Sequence, residues 1–184
     1  MMGAAASPAP LRLRTLEAAA FAPYGEVVDA ASARQTYAIN EGSSLRFHDL
    51  ARIEPGPGGR AILSIFRCRA EDGTPIRIRM MERHPLGSQA FVSIGGGPWL
   101  VVVATPGDTV TPARIEAFVA RGDQGVNFAP GVWHHPLIPI GAQRDFLVID
   151  REGEEANCDV IELSFERVLD AAGRARIDEL SAPR

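Results

Sequence analysis

The chain has 184 residues and a formal net charge of −4, which is enough length for one domain with a substantial core. Its 19 basic residues are scattered and outnumbered by 23 acidic ones, which excludes the basic surface of a nucleic-acid-binding protein. No stretch is apolar for long enough to span a membrane, and two cysteines make no disulfide framework. We therefore expect a cytoplasmic protein without membrane or nucleic-acid partners.

The first third of the chain is predicted to contain a tail, a short helix and the first strands. Residues 1–10 are small residues and prolines without the pattern of a secretory signal, and they are expected to form a disordered tail. Residues 16–22 favour a short helix that ends at a proline, and residues 25–30 favour a strand. Residues 42–49 are expected to be a loop leading into a strand, and residues 54–59 a turn.

The rest of the chain favours short strands separated by turn residues. Residues 99–104 are apolar on both faces, which predicts a strand at the centre of a sheet. Further strands are predicted at residues 61–67, 75–84, 89–94, 114–120, 125–128, 133–138, 144–150 and 159–163. A short helix is the alternative for residues 114–120. Many short strands with little helix among them indicate a sandwich or a barrel.

The last segment has a different pattern. Apolar residues at helical spacing between Phe165 and Ile177, interrupted by Gly173, predict a C-terminal helix lying over the barrel or over a partner subunit. We therefore divide the chain into a tail (1–10), one folded domain (11–163) and a helical extension (164–184).

Residues 75–84 carry the first group of polar residues on an otherwise apolar strand. Alternate side chains of a strand point to opposite faces. The expected apolar face holds Ile76, Ile78 and Met80, and the other face holds Arg77, Arg79 and Arg83. The same alternation assigns Glu82 and His84 to the apolar face, pointing inward side by side. A carboxylate and an imidazole two residues apart can hold a divalent ion. The alternative is a Glu–His ion pair that closes the end of the strand.

The second group lies about fifty residues later, after the turn signal Pro130-Gly131. Trp133, His134 and His135 begin a new extended run. Adjacent histidines on a strand face opposite ways, so only one of the two can join an interior site. Trp133 is interpreted as a core residue.

The two groups together resemble the double motif of the cupin superfamily. Glu82, His84 and Gln89 stand at the ligand positions of its first half, and Gly131-x-x-His134 has the spacing of its second half. The resemblance implies a mainly β, cupin-type β-barrel (jelly-roll) with a short N-terminal helix and a C-terminal helix. It also implies a metal site formed by Glu82, His84, Gln89 and His134. The first half departs from the motif at two of three ligand positions, and this oxygen-rich set suits a divalent metal: nickel, manganese, iron or zinc. No organic cofactor is expected.

A second resemblance covers the chain from about residue 11 to about residue 163. The most specific segments are Glu82-Arg-His-Pro-Leu-Gly-Ser-Gln-Ala-Phe91 and Gly125-Val-Asn-Phe-Ala-Pro-Gly-Val-Trp-His-His-Pro-Leu137. With residues 21–27, 37–40, 46–50, 145–151 and 157–160, in this order, they resemble the ureidoglycolate lyase family of allantoin degradation. The resemblance implies a lyase that cleaves ureidoglycolate to glyoxylate and urea, and it implies a homodimer.

This reaction requires a base, an acid and a group that binds the substrate carboxylate. The candidate catalytic residues are Glu82, His84, His134, Arg46, His48 and Asp49. The candidate substrate-binding residues are Arg46, Arg67, Asn40 and Gln89, since arginine matches a carboxylate. For residues 46–49 the alternative is a polar loop capping the barrel mouth. Asp150 and Arg151 are interpreted as a surface ion pair.

Two other functions fit the same residues. An amidohydrolase acting on ureidoglycolate would release ammonia and carbon dioxide, and one metal site could serve either reaction. A non-catalytic cupin would bind a small carboxylate as a sensor or store. In the homodimer, the N-terminal segment or the C-terminal helix is expected to contribute to the interface.

Overall fold

The computed structural model describes residues 9–71, 73 and 75–181, and within them the protein is mainly β. The strands are β1 (Ala9–Pro10), β2 (Leu13–Thr15), β3 (Gly25–Val28), β4 (Gln35–Ile39), β5 (Ser44–His48), β6 (Arg60–Cys68), β7 (Ile76–Arg83), β8 (Gln89–Ile94), β9 (Trp99–Ala104), β10 (Ile115–Ala120), β11 (Gly125–Phe128), β12 (Trp133–His134), β13 (Ile138–Pro139), β14 (Arg144–Glu152) and β15 (Asp159–Leu169). The helices are α1 (Ala18–Phe21) and α2 (Ala171–Ser181), and short 3₁₀ turns occupy Ala30–Ser32, Asn40–Gly42 and Pro112–Arg114.

The strands of the described residues form two large sheets and a hairpin. The larger sheet has the order β1-β15-β7-β12-β9-β10-β2, with β13 also paired to β9. The second sheet has the order β3-β11-β8-β14-β6, and β4 pairs only with β5. Two packed sheets joined by crossing connections agree with the predicted cupin-type jelly-roll, and the predicted fold class is confirmed.

Two apolar clusters lie on the two faces of the larger sheet. Successive residues of β9 alternate between them, which explains why this strand is apolar throughout and confirms its predicted central position. The cluster between the sheets includes Trp99, Val101, Val103, Phe118, Phe91, Val126, Phe128, Phe146 and Val148. The cluster beneath α2 includes Leu100, Val102, Ala117, Val119, Leu13, Trp133 and Ile177.

The ends of the chain differ from the sequence prediction. Residues 1–8 of the predicted tail lie outside the described residues. The last two residues of the tail, 9 and 10, form β1 and pair with β15. The C-terminal helix begins at Ala171, because β15 continues to Leu169 across the predicted domain boundary at residue 163. The Asp170 carboxylate accepts the Gly173 N–H and caps this helix. Neither helix in the described part of the chain has the length and apolar character needed to cross a membrane.

Two further predictions need correction. Residues 35–39 form β4, which was not predicted and which makes the expected loop at residues 42–49 part of a hairpin. The predicted strand at residues 133–138 is two short strands, β12 and β13, separated by a proline-containing segment. Residues 114–120 are a strand preceded by a 3₁₀ turn.

The alternation predicted along β7 breaks once. Ile76 and Ile78 lie in the cluster beneath α2, but the next member of that cluster is Met81 rather than Met80. The pairing of β7 with β15 shifts register between Ile78 and Met80, as at a β-bulge. The prediction that Met80, Glu82 and His84 share the face of Ile76 and Ile78 is therefore wrong.

This break determines where Glu82 points. Arg83 shares the face of Met81, and its guanidinium carbon lies 4.6 Å from the centroid of the Trp133 ring. Trp133 is buried in the cluster beneath α2, as predicted for a core residue. Glu82 and His84 therefore face the space between the two sheets, opposite to Ile76 and Ile78.

The buried carboxylate of Asp29, directly after β3, forms hydrogen bonds with the loop before β11. Asp29 accepts hydrogen bonds from the Ala31 N–H at 2.9 Å, Gln124 Nε2 at 2.8 Å and Arg121 Nη2 at 3.1 Å. Burial raises the pKa of this carboxyl, but the three hydrogen bonds outweigh that effect and the pKa lies below its usual value. The ionised form therefore stabilises the folded state.

Replacing Asp29 with alanine is expected to lower the free energy of unfolding by about 2–4 kcal/mol at pH 7, because buried donors lose their acceptor. Folding lowers the pKa of Asp29. The extra free energy of unfolding that the wild type has over the alanine variant is therefore present at neutral pH and declines as the pH falls below about 4. Urea unfolding at several pH values measures both effects. Asp123→Ala is the control, because the Asp123 side chain is 71% exposed although it also pairs with Arg121. A loss no larger than that of the control would contradict the prediction.

Candidate active site

The ends of β7 and β12 bring three ligand-type side chains together. Glu82 and His134 are directly paired across the two strands, so their side chains lie on the same face. His134 Nε2 lies 3.5 Å from Glu82 Oε1, and the His84 and His134 ring centroids are 5.3 Å apart. One ligand atom from each of Glu82, His84 and His134 lies within 4.8 Å of the other two. We refer to these three residues as the Glu82–His84–His134 cluster.

Both histidines of the cluster are oriented by the backbone. His84 Nδ1 donates to the Asn157 carbonyl at 2.5 Å, and His134 Nδ1 donates to the Val132 carbonyl at 3.1 Å. A carbonyl can only accept, so Nδ1 of each ring carries a proton, and whenever a ring is neutral its lone pair is on Nε2. Both Nε2 atoms are buried and have no hydrogen-bond partner. This is the arrangement in which histidine binds a metal through Nε2.

Burial determines the charge state of the cluster. His134 is 1% exposed and stacks on Phe128, with ring centroids 4.3 Å apart. Its burial lowers its pKa despite the opposing effect of Glu82, so the ring is neutral at pH 7. The pKa of the Glu82 carboxyl lies below its usual value, so this group is ionised at pH 7. A carboxylate and two imidazole lone pairs thus converge, and this set of acceptors fits a divalent cation.

A cavity of about 310 Å³ reaches the cluster at His84. Its other lining residues are Ile62, Ser88, Gln89, Asp150, Arg151, Glu152, Gly153, Glu155 and Asn157. Gln89 is 5% exposed, and its Oε1 has no hydrogen-bond partner. A small polar molecule in this cavity would therefore lie against His84 and Gln89.

Comparison with known proteins agrees with this geometry. A family model described as ureidoglycolate lyase matches residues 8–169. The chain belongs to the ureidoglycolate lyase family. It is 49% identical over 150 residues to a ureidoglycolate lyase of Azotobacter vinelandii, covering 81% of this chain and 89% of that protein. It is 46% identical over 160 residues to a ureidoglycolate lyase of Pseudomonas putida strain W619, covering 86% of this chain and 95% of that protein.

Membership in the ureidoglycolate lyase family confirms the resemblance that the sequence motifs indicated. It also confirms the predicted enzyme class, since the relatives are lyases by name. The family match ends at residue 169, which is the last residue of β15.

Some of the predicted substrate-binding residues lie away from the cluster. Arg67 donates to both carboxylate oxygens of Asp145, at 2.8 and 2.9 Å. Strands β6 and β14 pair Arg67 with Asp145. They also pair Ile62, which lines the cavity at His84, with Asp150. Five residues of strand separate Arg67 from Ile62, a distance of roughly 17 Å. The structure therefore does not bring Arg67 to the Glu82–His84–His134 cluster.

The other predicted residues lie on or beside the β4–β5 hairpin. Arg46 lies over the Tyr37 ring, with its guanidinium carbon 5.8 Å from the centroid. Asn40 is at the turn of the hairpin with a positive φ of 51°. His48 and Asp49 line a cavity of about 620 Å³ that shares no lining residue with the one at His84. Within the described part of the chain, no hydrogen bond, ion pair or ring contact joins these residues to the cluster.

Sequence reasoning gave neither Asn157 nor Arg151 a role in the site. Asn157 positions His84 through its carbonyl, and its side-chain oxygen accepts the Leu86 N–H at 2.7 Å. Arg151 was interpreted as half of a surface ion pair, and this is wrong. Its side chain is 1% exposed, and its only ion pair among the described residues is with Glu155 at 3.4 Å. A sequence shows no signal for either role, since both depend on contacts between distant segments.

Replacing Asn157 with alanine is expected to weaken metal binding by about 10–100-fold, the effect typical of losing a group that orients a ligand. The side chain holds its loop to Leu86, so its loss loosens the carbonyl that orients His84. Titration of the metal-free protein with nickel or zinc measures the change. Glu154→Ala, in the same loop, is the control. Equal affinities in the two variants would show that this loop does not position His84.

Proposed function

We propose that this protein cleaves ureidoglycolate to glyoxylate and urea. Its membership in the ureidoglycolate lyase family supports the substrate, and the geometry of the cluster supports the chemistry. The observation that carries the proposal is the convergence of the ionised Glu82 with two unpaired imidazole Nε2 atoms beside a small polar cavity. Such a set of perturbed groups at the edge of a cavity is typical of a catalytic centre.

The reaction is an elimination at one carbon. That carbon bears a hydroxyl, a carboxylate and a ureido nitrogen. The hydroxyl loses its proton, its oxygen forms the carbonyl of glyoxylate, and the carbon–nitrogen bond breaks. The leaving nitrogen gains one proton to become urea, so no water is consumed and no electron acceptor is required.

One group can perform both proton transfers. Glu82 is ionised at pH 7, since its pKa lies below the usual value of a carboxyl, so it can accept the hydroxyl proton. The same carboxyl can then donate that proton to the leaving nitrogen, which restores the carboxylate. The Nδ1 hydrogen bonds of His84 and His134 fix both rings, so their Nε2 atoms stay directed into the Glu82–His84–His134 cluster.

We further propose that the cluster holds a divalent metal, with nickel, manganese, iron and zinc as the candidates. Glu82, His84 and His134 would be ligands, and the free Oε1 of Gln89 is the proposed fourth. A bound divalent ion would lower the pKa of a coordinated hydroxyl. Elemental analysis of protein purified without chelators identifies the metal and its stoichiometry.

A product assay tests the proposed reaction. Purified protein is incubated with ureidoglycolate, and glyoxylate, urea and ammonia are measured over time. An enzyme-free control is required because the substrate is a labile hemiaminal. Urea formed in step with glyoxylate above the control is the expected result. Ammonia without urea would instead indicate the amidohydrolase, and neither product above the control would indicate a protein that only binds a small carboxylate.

We also propose a homodimer formed through the outer face of the smaller sheet. This face exposes Leu63, Ile65 and Ile94, which are 66%, 53% and 46% exposed. Exposed apolar patches of this kind mark protein interfaces. Light scattering at micromolar concentration is expected to give twice the chain mass, and Ile65→Asp to give the chain mass. A wild-type monomer would remove the proposal.

We propose the cytoplasm as the location. The two cysteines, Cys68 and Cys158, are both free thiols. Free thiols are the usual state of cysteine in a reducing compartment.

A further inference from the structure

The β4–β5 hairpin, residues 35–48, is an exposed arm of the subunit. Within the described part of the chain its two strands pair with each other and with neither large sheet. Eight of its ten strand residues are exposed, including Tyr37, Leu45 and Phe47, at 39%, 59% and 40%. A two-stranded hairpin by itself is only marginally stable in water. The arm is therefore expected to be stabilised by a surface outside its own subunit.

The arm has one apolar face and one polar face. Successive residues of a strand point to opposite faces, so Leu45 and Phe47 share one face of the arm. Arg46 and His48 share the other face, together with Tyr37, which is the cross-strand partner of Arg46. A surface that binds the arm must therefore offer apolar contacts to one face and negative charge to the other.

Strand β6 is a sheet edge that matches the apolar face of the arm. It has nine residues and, among the described strands, pairs only with β14. Leu63 and Ile65, on its outer face, are 66% and 53% exposed. A long, exposed and apolar edge strand is a template for pairing with another strand. An arm strand added to this edge would place Leu45 and Phe47 on the outer face beside Leu63 and Ile65.

The pairing within the smaller sheet shows how two copies can exchange their arms. One row of paired residues crosses this sheet from edge to edge: Glu26, Asn127, Ala90, Ile149 and Leu63. The arm leaves the subunit at the Glu26 end of the row, since His48 and Glu26 line one cavity. A two-fold axis parallel to the strands, at the outer face, places this end opposite Leu63 of the partner subunit.

The arm is long enough for this exchange. Packed sheets lie about 10 Å apart, and a strand of five residues spans roughly 17 Å. The arm of one subunit can thus cross from its own sheet to the free edge of β6 in the partner subunit.

The cavity at His84 lies beside this edge and has an excess of carboxylates. Ile62 of β6 lines it together with three acidic residues: Asp150, Glu152 and Glu155. The one arginine among its lining residues, Arg151, lies on the opposite face of β14 from Asp150, and its side chain is 1% exposed. Among the lining residues, therefore, no cationic side chain faces a carboxylate bound in this cavity.

We propose that the arm pairs with strand β6 of a second copy of this chain and brings Arg46 to the mouth of the partner's cavity. With Leu45 and Phe47 on the outer face, Arg46 lies on the face that Ile62 shares. Its guanidinium is attracted by the acidic residues there and matches a substrate carboxylate bidentately. The inference goes beyond the proposed homodimer, because each site is complete only in the dimer. It rests on the proposed function for the identity of the substrate.

Chemical cross-linking tests the position of the arm without any substrate. Phe47→Cys and Leu63→Cys are made as separate variants that also carry Cys68→Ser and Cys158→Ser, which removes both natural thiols. The two variants are unfolded, refolded together and treated with a short bismaleimide. The mixture is expected to give a covalent dimer, and each variant alone to give none. A covalent dimer from Leu63→Cys alone would show β6 paired with β6 and overturn the proposal, as would the absence of any cross-link.

Single substitutions test the role of Arg46. Arg46→Ala is expected to raise the KM for ureidoglycolate by about 10–100-fold, with a smaller change in kcat, since a charge-assisted hydrogen bond is lost. Light scattering should still show a dimer. Arg60→Ala is the control, because Arg60 also lies at this edge, with a side chain that is 70% exposed and paired with Glu152. An unchanged KM in Arg46→Ala, or an equal increase in Arg60→Ala, would refute the role of Arg46.

Mixed dimers show which subunit supplies Arg46. A dimer of one Arg46→Ala and one His134→Ala subunit has one site in which both residues are intact, if the arm serves the partner's site. Refolding the two variants together should therefore restore about one quarter of wild-type activity, measured below the KM of Arg46→Ala. His134→Ala with Glu82→Gln is the control mixture and should restore none, because both residues belong to one cluster. No recovery in the first mixture would overturn the proposal.

The proposed function and this inference can fail separately. If the wild type releases urea but the cross-link or the recovery is absent, only the arm has been wrongly assigned. If the wild type releases no urea and the mixed variants cross-link, the docked arm stands and the proposed reaction is wrong.

Discussion

Replacing His134 with alanine is expected to reduce urea release from ureidoglycolate by about 100-fold or more, the scale of losing a group that takes part directly in catalysis. His134 contributes one of the two unpaired Nε2 atoms of the cluster, and this atom lies 3.5 Å from Glu82 Oε1. Its loss removes a proposed metal ligand, so the metal content of the purified variant should fall as well. Steady-state rates and elemental analysis of the same preparation measure both effects.

The adjacent histidine provides the matched control. His135 lies at the next position of the chain, and its Nδ1 bonds to the Pro136 carbonyl rather than facing the cluster. His135→Ala is therefore expected to change the rate by less than threefold. Because His134 packs on Phe128, circular dichroism and melting must show that the alanine variant is folded. Equal losses in two folded variants would refute the assignment of His134 to the site.

Replacing Glu82 with glutamine is expected to lower kcat by about 10²–10⁴-fold, the usual contribution of a general acid–base. The amide keeps the size of the side chain but cannot accept the hydroxyl proton. Glu82 is ionised in the wild type, so the substitution also removes a negative charge. Rates should be measured with saturating metal, so that weaker metal binding is not mistaken for loss of the base.

Glu162→Gln is the control for this substitution, because Glu162 is an exposed residue of the neighbouring strand β15. It should retain wild-type activity. If Glu82→Gln retains most of the activity while binding metal normally, Glu82 is not the proton-transfer group. The elimination would then need another base near the cluster.

The sequence predicted the strands and the three cluster residues because both depend on short-range patterns. Strand alternation and turn residues locate β7 and β12, and the spacing within each motif identifies Glu82, His84 and His134. Once the two strands pair, Glu82 faces His134 directly, so two local motifs form one site. The order of the remaining strands was less constrained by the sequence, although their number indicated a barrel.

The sequence did not predict features that depend on contacts between distant residues. The register shift opposite β15 reverses the face of Glu82 relative to Ile78, and alternation alone cannot show such a shift. The bond from His84 to Asn157 joins residues 73 positions apart. Arg151 was interpreted as half of a surface ion pair with Asp150, and its burial depends on glycines at positions 59, 87 and 153.

A crystal structure with bound glyoxylate would locate the site of the reaction. Glyoxylate is the carboxylate product of the proposed reaction, so it should occupy the site where the reaction takes place. Glyoxylate is expected in the cavity lined by His84 and Gln89, next to the Glu82–His84–His134 cluster. Glyoxylate bound only in the cavity of His48 and Asp49, or beside Arg67, would contradict this expectation and move the active site to that location.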